Sequence, residues 1–224
     1  VPVPKRPQST PTSAATGLGG DNRAGCAVLL STARLLSRRG LRHPPLTFLW
    51  TVQEEVGLHG ARHASLTALG KPAMGFNFDG SLPHALTIGA TGGYRMKIDV
   101  QGIASHAGAH PERGVSAIAV AALATADLVE HGWHGLIEHD GRQGTSNIGV
   151  VRGGQATNVV APHVELRAEA RSHDSEFRQT IVQKIEAAFH RAASRVSNDA
   201  GKKASVSIDG RLDYESFLLD RNEP

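Results

Sequence analysis

The sequence GYRMKIDVQG, residues 93–102, alternates apolar and polar side chains along its length. Such alternation is typical of a strand in an antiparallel sheet, with one face against a core and the other against solvent. The following segments have the patterns of a helix, two strands, a helix and a strand, at residues 114–131, 145–154, 158–172, 175–198 and 204–212. This order predicts a two-layer α+β domain of the ferredoxin-like type, with both helices on one face of the sheet.

Upstream of this region, short and continuously apolar segments alternate with helical patterns. The predicted strands are residues 45–52, 71–80 and 84–90, and the predicted helices are residues 23–40 and 58–69. Alternation of this kind predicts an α/β domain with a parallel or mixed sheet. We place this first domain at residues 1–90, resumed at 214–224, and the second domain at residues 91–213.

The composition argues against two classes of partner. The chain has 24 Lys and Arg against 21 Asp and Glu, without a basic block interleaved with aromatic residues, so nucleic acid is not expected. No stretch reaches the roughly 18 apolar residues that a membrane span needs. The single cysteine, Cys26, cannot form an internal disulfide and is predicted to be a small buried residue. We therefore expect a globular protein of a reducing, cytoplasmic compartment.

Acidic residues come at the ends of predicted strands in the first domain. Glu54 and Glu55 follow one strand, Asp79 ends the next, and Asp21 stands where a glycine-rich turn enters a helix. Ligands of an open α/β sheet bind beyond the carboxyl ends of its strands, so we expect these four carboxylates at one rim. Since they would repel one another there without a cation, the arrangement predicts a metal site.

Each of these residues also has an ordinary structural interpretation. Asp21 could be a helix N-cap, and Asp79 could be a turn residue before Gly80. Glu54 and Glu55 could be first-turn charges that interact favourably with a helix dipole. The metal interpretation depends on the four residues occurring together.

Five segments together resemble a known family. They are GLGGDNRAG (17–25), TVQEEVGLHGA (51–61), FNFDG (76–80), GIASHAGAHPERGVSAI (102–118) and GQATNVVAPHVELRAEAR (154–171). The chain is similar to the di-zinc peptidases and deacylases that include peptidase T, glutamate carboxypeptidase, acetylornithine deacetylase and succinyl-diaminopimelate desuccinylase. It is nearest to the peptidase T branch, and the resemblance extends over nearly the whole chain from Gly17 onward.

The resemblance implies a role for each acidic residue. Asp21 would bridge two zinc ions, Glu55 would bind one of them, and Asp79 would bind the other. Glu54 would be the general base that acts on the bridging water. Two adjacent glutamates would then be needed because one holds a metal while its neighbour moves a proton. The resemblance also implies a cis peptide bond between Asp21 and Asn22.

The same resemblance implies that the first domain is a three-layer α/β catalytic domain with a mostly parallel sheet, incomplete in this chain. It identifies the second domain as a lid that also carries the contact of a homodimer. His106 would stabilise the oxyanion, commonly from the partner subunit, and Asn158 and Arg171 would grip the substrate's backbone or terminal carboxylate. Without the family, His106 would be a surface hydrogen-bonding residue. Asn158 would then be a turn residue and Arg171 a strand-end residue.

The histidine ligands of the family pattern are missing from this sequence. No histidine precedes His43, and the sequence ends at YESFLLDRNEP, where the family continues. We therefore expect a fragment in which each zinc keeps two of its usual three protein ligands, with weak or no hydrolysis by this chain. Three functions stay open: a di-zinc peptidase acting on short peptides, a deacylase of N-acyl amino acids, and a catalytically inactive binding or dimerisation module.

Overall fold

The computed structural model describes residues 20–80, 82, 84–220 and 222, and it divides the chain into two compact units, Val1–Leu86 and Thr87–Pro224. The described part of the first unit contains two helices, α1 at Gly20–Arg39 and α2 at His59–Arg62. Gly40 follows α1 with a φ of 58°, a left-handed conformation that suits glycine at a helix end. The predicted first helix is therefore confirmed.

The strands predicted at residues 45–52 and 71–80 do not form. An apolar strand of a parallel sheet needs hydrogen-bonded neighbours and cover on both faces. Within the described residues of this unit neither segment has such a neighbour, and Leu49 and Trp50 are 46% and 50% exposed. The apolar pattern is present, but the elements that would complete a parallel sheet are not among the described residues.

The helix α1 is also less covered than predicted. Cys26 is exposed rather than buried, and Gly25 is the buried residue of this helix. Val28 and Leu35 are 42% and 46% exposed, because no described layer covers the apolar side of α1. None of the helices in the described ranges has the length and apolarity that a membrane span requires.

The second unit contains a five-stranded antiparallel sheet with two helices packed on one face. The strands are β2 (Gly92–Gln101), β3 (Gly135–His139), β4 (Arg142–Gly153), β5 (His163–Ser172) and β6 (Ser205–Tyr214), and the helices are α3 (Ala117–Glu130) and α4 (Ser175–Arg195). The strand order is β3-β4-β5-β2-β6. Apart from β3, this is the order of a ferredoxin-like sheet, so the predicted fold is confirmed.

The predicted alternation of β2 determines which face of the sheet is buried. Met96, Ile98 and Val100 are buried under the helices, whereas Arg95 and Lys97 are exposed on the opposite face. Two further strands, β1 (Gly89–Ala90) and β7 (Phe217–Leu218), pair with each other in a separate antiparallel ribbon of this unit. The return of residues 214–224 to the first domain stays a prediction.

The strand β3 was not predicted, although the sequence carries a signal for it. Asp140 and Gly141 connect β3 to β4 in a two-residue turn, and their φ values are 51° and 74°. An Asp-Gly pair is favoured in such hairpin turns because both central residues need positive φ. β3 pairs with the first half of β4, from Arg142 to Ser146.

The N-terminus of α4 provides a first prediction about stability. The Asp174 carboxylate accepts hydrogen bonds from the N–H groups of Glu176 and Phe177, at 2.9 and 3.0 Å. Asp174→Ala should therefore lower the free energy of unfolding by about 0.5–2 kcal/mol, measured by urea denaturation. The control Gln183→Ala, at an exposed position inside the same helix, should change it little. Equal effects of the two substitutions would contradict the capping role.

Candidate metal centre and substrate residues

Asp21 lies at the start of α1, but its neighbour caps the helix. The side-chain oxygen of Asn22 accepts a hydrogen bond from the N–H of Gly25 at 2.8 Å. Both Asp21 and Asn22 have non-helical dihedral angles, and the predicted cis peptide bond joins them. Because Asn22 fills the N-cap role, the Asp21 carboxylate is available for other contacts.

Glu54 and Glu55 lie in a turn that precedes α2. The carbonyl of Glu54 accepts hydrogen bonds from the N–H groups of Gly57 and Leu58, at 3.1 and 2.9 Å. α2 begins only at His59, so the two glutamates are not charges of its first turn. Their carboxylates are both exposed, and the structural interpretation as helix-dipole partners does not apply to them.

The carboxyl groups of Asp21, Glu54 and Asp79 each interact electrostatically with that of Glu55. The negative charge of Asp21 raises the pKa of Glu55 above its usual range, and Glu54 and Asp79 add to this effect. Ionised carboxylates that lie near one another repel, and a cation among their oxygens would remove the repulsion. The chemistry of these donors therefore fits a divalent metal ion.

The cluster is nevertheless incomplete as a metal site. Among the described residues, no three His, Cys, Asp or Glu side chains are arranged to hold one ion. The two observations are compatible because charges interact over several ångströms, whereas zinc ligands must approach to about 2 Å. The donor chemistry indicates the kind of ion, and the geometry shows that the described residues form only part of its site.

His106 lies in the second unit, beyond the end of β2. Its Nδ1 accepts hydrogen bonds from the N–H groups of Gly108 and Ala109, at 3.2 and 3.1 Å. A neutral imidazole whose Nδ1 accepts carries its proton on Nε2, a tautomer that follows here from the hydrogen-bond pattern. The exposed ring can therefore act as a hydrogen-bond donor through Nε2.

Asn158 lies beside His106, and Arg171 lies far from both. The carbonyl of Asn158 accepts a hydrogen bond from Ala107 at 2.9 Å, in a segment that continues the pairing of β2 with β5. Arg171 is near the opposite end of β5, which spans about 26 Å between His163 and Arg171 at about 3.3 Å per residue. The structure brings two of the three predicted lid residues together and separates the third.

Glu169 was not predicted as a site residue, although it holds Arg171. The Nε and Nη2 of Arg171 donate to the two carboxylate oxygens of Glu169, each at 3.0 Å. This pairing also raises the pKa of Arg171. The two residues are two positions apart on one strand and so face the same side of the sheet, which the sequence spacing indicates.

Models of two protein families match different parts of the chain. The peptidase dimerisation domain matches residues 88–196, and M42 glutamyl aminopeptidase matches residues 3–82. The first match covers most of the second unit, including the surroundings of His106, Asn158 and Arg171. The second match covers the segments that contain Asp21 and the two glutamates.

Individual relatives are similar to this chain over most of its length. The protein YqjE of Bacillus subtilis (strain 168) is 34% identical over 201 residues, which are 88% of this chain and 50% of the relative. The crystal structure of a tripeptidase from Staphylococcus aureus has a TM-score of 0.77 and 34% identity, covering 93% of this chain and 52% of the tripeptidase. The crystal structure of the aminopeptidase PepT of Bacillus cereus has a TM-score of 0.68 and 31% identity, covering 92% of this chain and 52% of PepT. The chain spans about half the length of these relatives.

Proposed function

Since the chain belongs to the M20 family of peptidases, we propose that it supplies metal ligands and the lid of a zinc-dependent hydrolase that cleaves amide bonds in short peptides. The observation that carries this proposal is that carboxyl groups from three separate segments, those of Asp21, Glu54 and Asp79, all interact with Glu55. Asn22 rather than Asp21 caps the helix. The similarity to a tripeptidase and to an aminopeptidase favours peptides as the substrate class.

The acidic cluster would hold two metal ions through shared ligands. Asp21 would bind both ions, Glu55 would bind one of them and Asp79 the other, so this chain would supply two protein ligands to each ion. Bound zinc supplies Lewis acidity, which polarises the scissile carbonyl and lowers the pKa of an attacking water towards about 7. Glu54 then takes the proton of that water and transfers it to the nitrogen of the leaving amine.

His106 is suited to stabilise the negative charge that develops on the carbonyl oxygen. Two backbone N–H groups bind its Nδ1, so the ring offers Nε2–H as a donor without a change of tautomer. A donor that is already oriented needs no reorganisation when the charge appears, and this is why such groups lower the barrier to reaction. Asn158, beside His106, would contact the substrate backbone.

The separation of the lid residues favours a site built from two copies of the chain. His106 and Asn158 are more than about 26 Å along the sheet from Arg171, which exceeds the length of a short peptide. The three residues of a single lid therefore cannot all contact the same tripeptide. A homodimer resolves this, because His106 and Asn158 of one subunit and Arg171 of the other could then contact the same substrate.

The lid also has a surface that suits a second copy. Among the described residues, β4 has no partner strand beyond Ser146 on the side where β3 ends. Beside this edge, an apolar groove of about 550 Å³ is lined by α3 and β4, with Ile118, Val129 and Val151 49%, 58% and 61% exposed. Antiparallel pairing of two such edges about a twofold axis would satisfy their backbone groups and cover the apolar side chains.

A zinc titration tests the metal-binding part of the proposal directly. Zinc should bind this chain, measured by isothermal titration calorimetry, and Asp21→Asn should weaken the binding by about 100-fold or more. Loss of a group that merely orients a ligand costs about 10- to 100-fold, and Asp21 is proposed to contact both ions directly. The control Asp140→Asn, in the turn between β3 and β4, should leave the affinity unchanged.

Two results would contradict this proposal. Equal zinc affinity of the wild-type chain and Asp21→Asn would remove Asp21 from the site. Absence of zinc binding, together with intact association of the lid, would favour a dimerisation module without catalysis. In the whole protein that carries this chain, faster hydrolysis of N-acyl amino acids than of tripeptides would favour a deacylase.

A further inference from the structure

The ring of Tyr214 lies across Gly93 on the open face of the five-stranded sheet. Tyr214 is the last residue of β6 and pairs with Gly93 of β2. A Cβ at position 93 would lie 2.9 Å from Cζ and 3.1 Å from the hydroxyl of Tyr214. The absence of a side chain at Gly93 therefore allows the phenol to extend over β2 towards the next strand, β5.

The residue on the other side of Gly93 is Arg171. Gly93 pairs with Arg171 of β5, so Tyr214, Gly93 and Arg171 form one row across three neighbouring strands. Strands lie about 4.8 Å apart, and with glycine between them no side chain separates the phenol from the guanidinium. The two groups are close enough to interact electrostatically.

The guanidinium of Arg171 retains donors for a ligand. Glu169 accepts from Nε and Nη2, and these are the only hydrogen bonds of the Arg171 side chain within the described residues. A guanidinium has five N–H donors, so the edge formed by Nη1 and the second hydrogen of Nη2 stays available. Glu169 fixes the plane of the group and thereby the direction of that free edge.

The charges next to this row favour an anion. Arg95 and Arg211 pair with each other across β2 and β6 and share Asp213, at 2.8 and 3.8 Å. Together with Arg171 and Glu169, three guanidinium groups face two carboxylates, which leaves one positive charge. A free edge of an arginine beside a phenol O–H, in surroundings of net positive charge, suits a carboxylate.

We propose that Tyr214 is a further substrate-binding residue, which completes with Arg171 a subsite for the terminal carboxylate of a peptide. The phenol donates its O–H to one carboxylate oxygen, and the free edge of Arg171 donates to the other. This inference rests on the proposed function, since it assumes a peptide substrate. It adds to Arg171 a residue from β6, which lies two strands away in the sheet and more than 40 positions away in the sequence.

The other tyrosine of the chain provides a matched control. Tyr94 also lays its ring over a glycine in the same pair of strands, since a Cβ at Gly210 would lie 2.6–3.0 Å from it. Tyr94, however, packs against the buried core under the helices. The rings of both tyrosines pack over a glycine, but only Tyr214 lies in the row that contains Arg171.

Binding to this subsite can be measured without hydrolysis. In NMR titrations of this chain, triglycine should shift the ring signals of Tyr214 and leave those of Tyr94 in place. Triglycine amide, which lacks the carboxylate, should shift neither. Tyr214→Phe should weaken the binding of triglycine about tenfold, because one hydrogen bond to a charged group is lost. Tyr94→Phe should leave the affinity unchanged.

Each alternative outcome would overturn the inference. Equal shifts by triglycine and its amide would exclude a carboxylate subsite, and equal affinity of wild type and Tyr214→Phe would exclude a role for Tyr214. No shift of the Tyr214 ring signals at tens of millimolar triglycine would exclude both the carboxylate subsite and a role for Tyr214. None of these results bears on zinc binding or hydrolysis, which are measured separately, so a failure here is distinguishable from a failure of the proposed function.

Discussion

In the whole protein that carries this chain, Glu54→Gln should lower kcat for a tripeptide by about 10²- to 10⁴-fold, while its zinc content stays that of the wild type. Glutamine has nearly the shape of glutamate but cannot take a proton from water at neutral pH. The carbonyl of Glu54, which fixes the turn through Gly57 and Leu58, is unchanged by the substitution. The effect should therefore appear in the chemical step rather than in folding.

The adjacent Glu55→Gln is the matched variant for this prediction. It carries the same chemical change one position later, but Glu55 is the residue whose carboxylate interacts electrostatically with Asp21 and is proposed to bind metal. Its activity should fall together with its zinc content, measured by atomic absorption, and excess zinc should restore part of it. If Glu54→Gln keeps full activity, or if it loses zinc as Glu55→Gln does, the assignment of the general base to Glu54 is wrong.

The lid was predictable because its signals are local and repeated. The alternation in β2 assigns Met96, Ile98 and Val100 to one face, and the structure buries all three. Two helical patterns of suitable length separate the strands, and the order of elements then leaves few ways to build a compact two-layer sheet. The hairpin partner β3 was missed because its five residues show little alternation, although the Asp-Gly turn marks its position.

In the first unit, local sequence patterns did not predict which segments pair as strands or become buried. The segment around Leu49 and Trp50 has the composition of a buried strand, but a strand forms only when its backbone pairs with neighbours. Cys26 illustrates the same limit on a helix, since it belongs to an apolar run and is nevertheless exposed. Apolar composition predicts that a segment can be buried, whereas burial itself depends on the elements that cover it.

For the site, the residue types could be predicted better than the arrangement. Carboxylates at Asp21, Glu55 and Asp79 are recognisable because their conjunction is unusual, and the structure brings their charges into interaction. The capping role of Asn22 could not be assigned from sequence, because Asp and Asn are equally good N-caps. The pairing of Arg171 with Glu169 depends on side-chain orientation, so it required the structure.

Because His106 is proposed to act at the metal centre of the partner subunit, a dimer of two different inactive variants should contain one complete site. His106→Ala should have low activity because its donor to the oxyanion is missing, and such losses are about 10²- to 10³-fold. Glu54→Gln should be inactive because its base is missing. In a dimer of one chain of each kind, the His106→Ala subunit has an intact metal centre and receives an intact His106 from its partner. One of the two sites in that dimer is therefore complete.

Mixing the two inactive variants, by refolding them together in equal amounts, should restore about a quarter of the wild-type activity. Random pairing makes about half of the dimers mixed, and each mixed dimer has one complete site of two. A mixture of Glu54→Gln with Glu55→Gln is the control, because every metal centre in it is defective and activity should stay low. Sedimentation should show that all mixtures are dimers. If the dimers form and the first mixture stays inactive, His106 acts within its own subunit and the two-copy site is wrong.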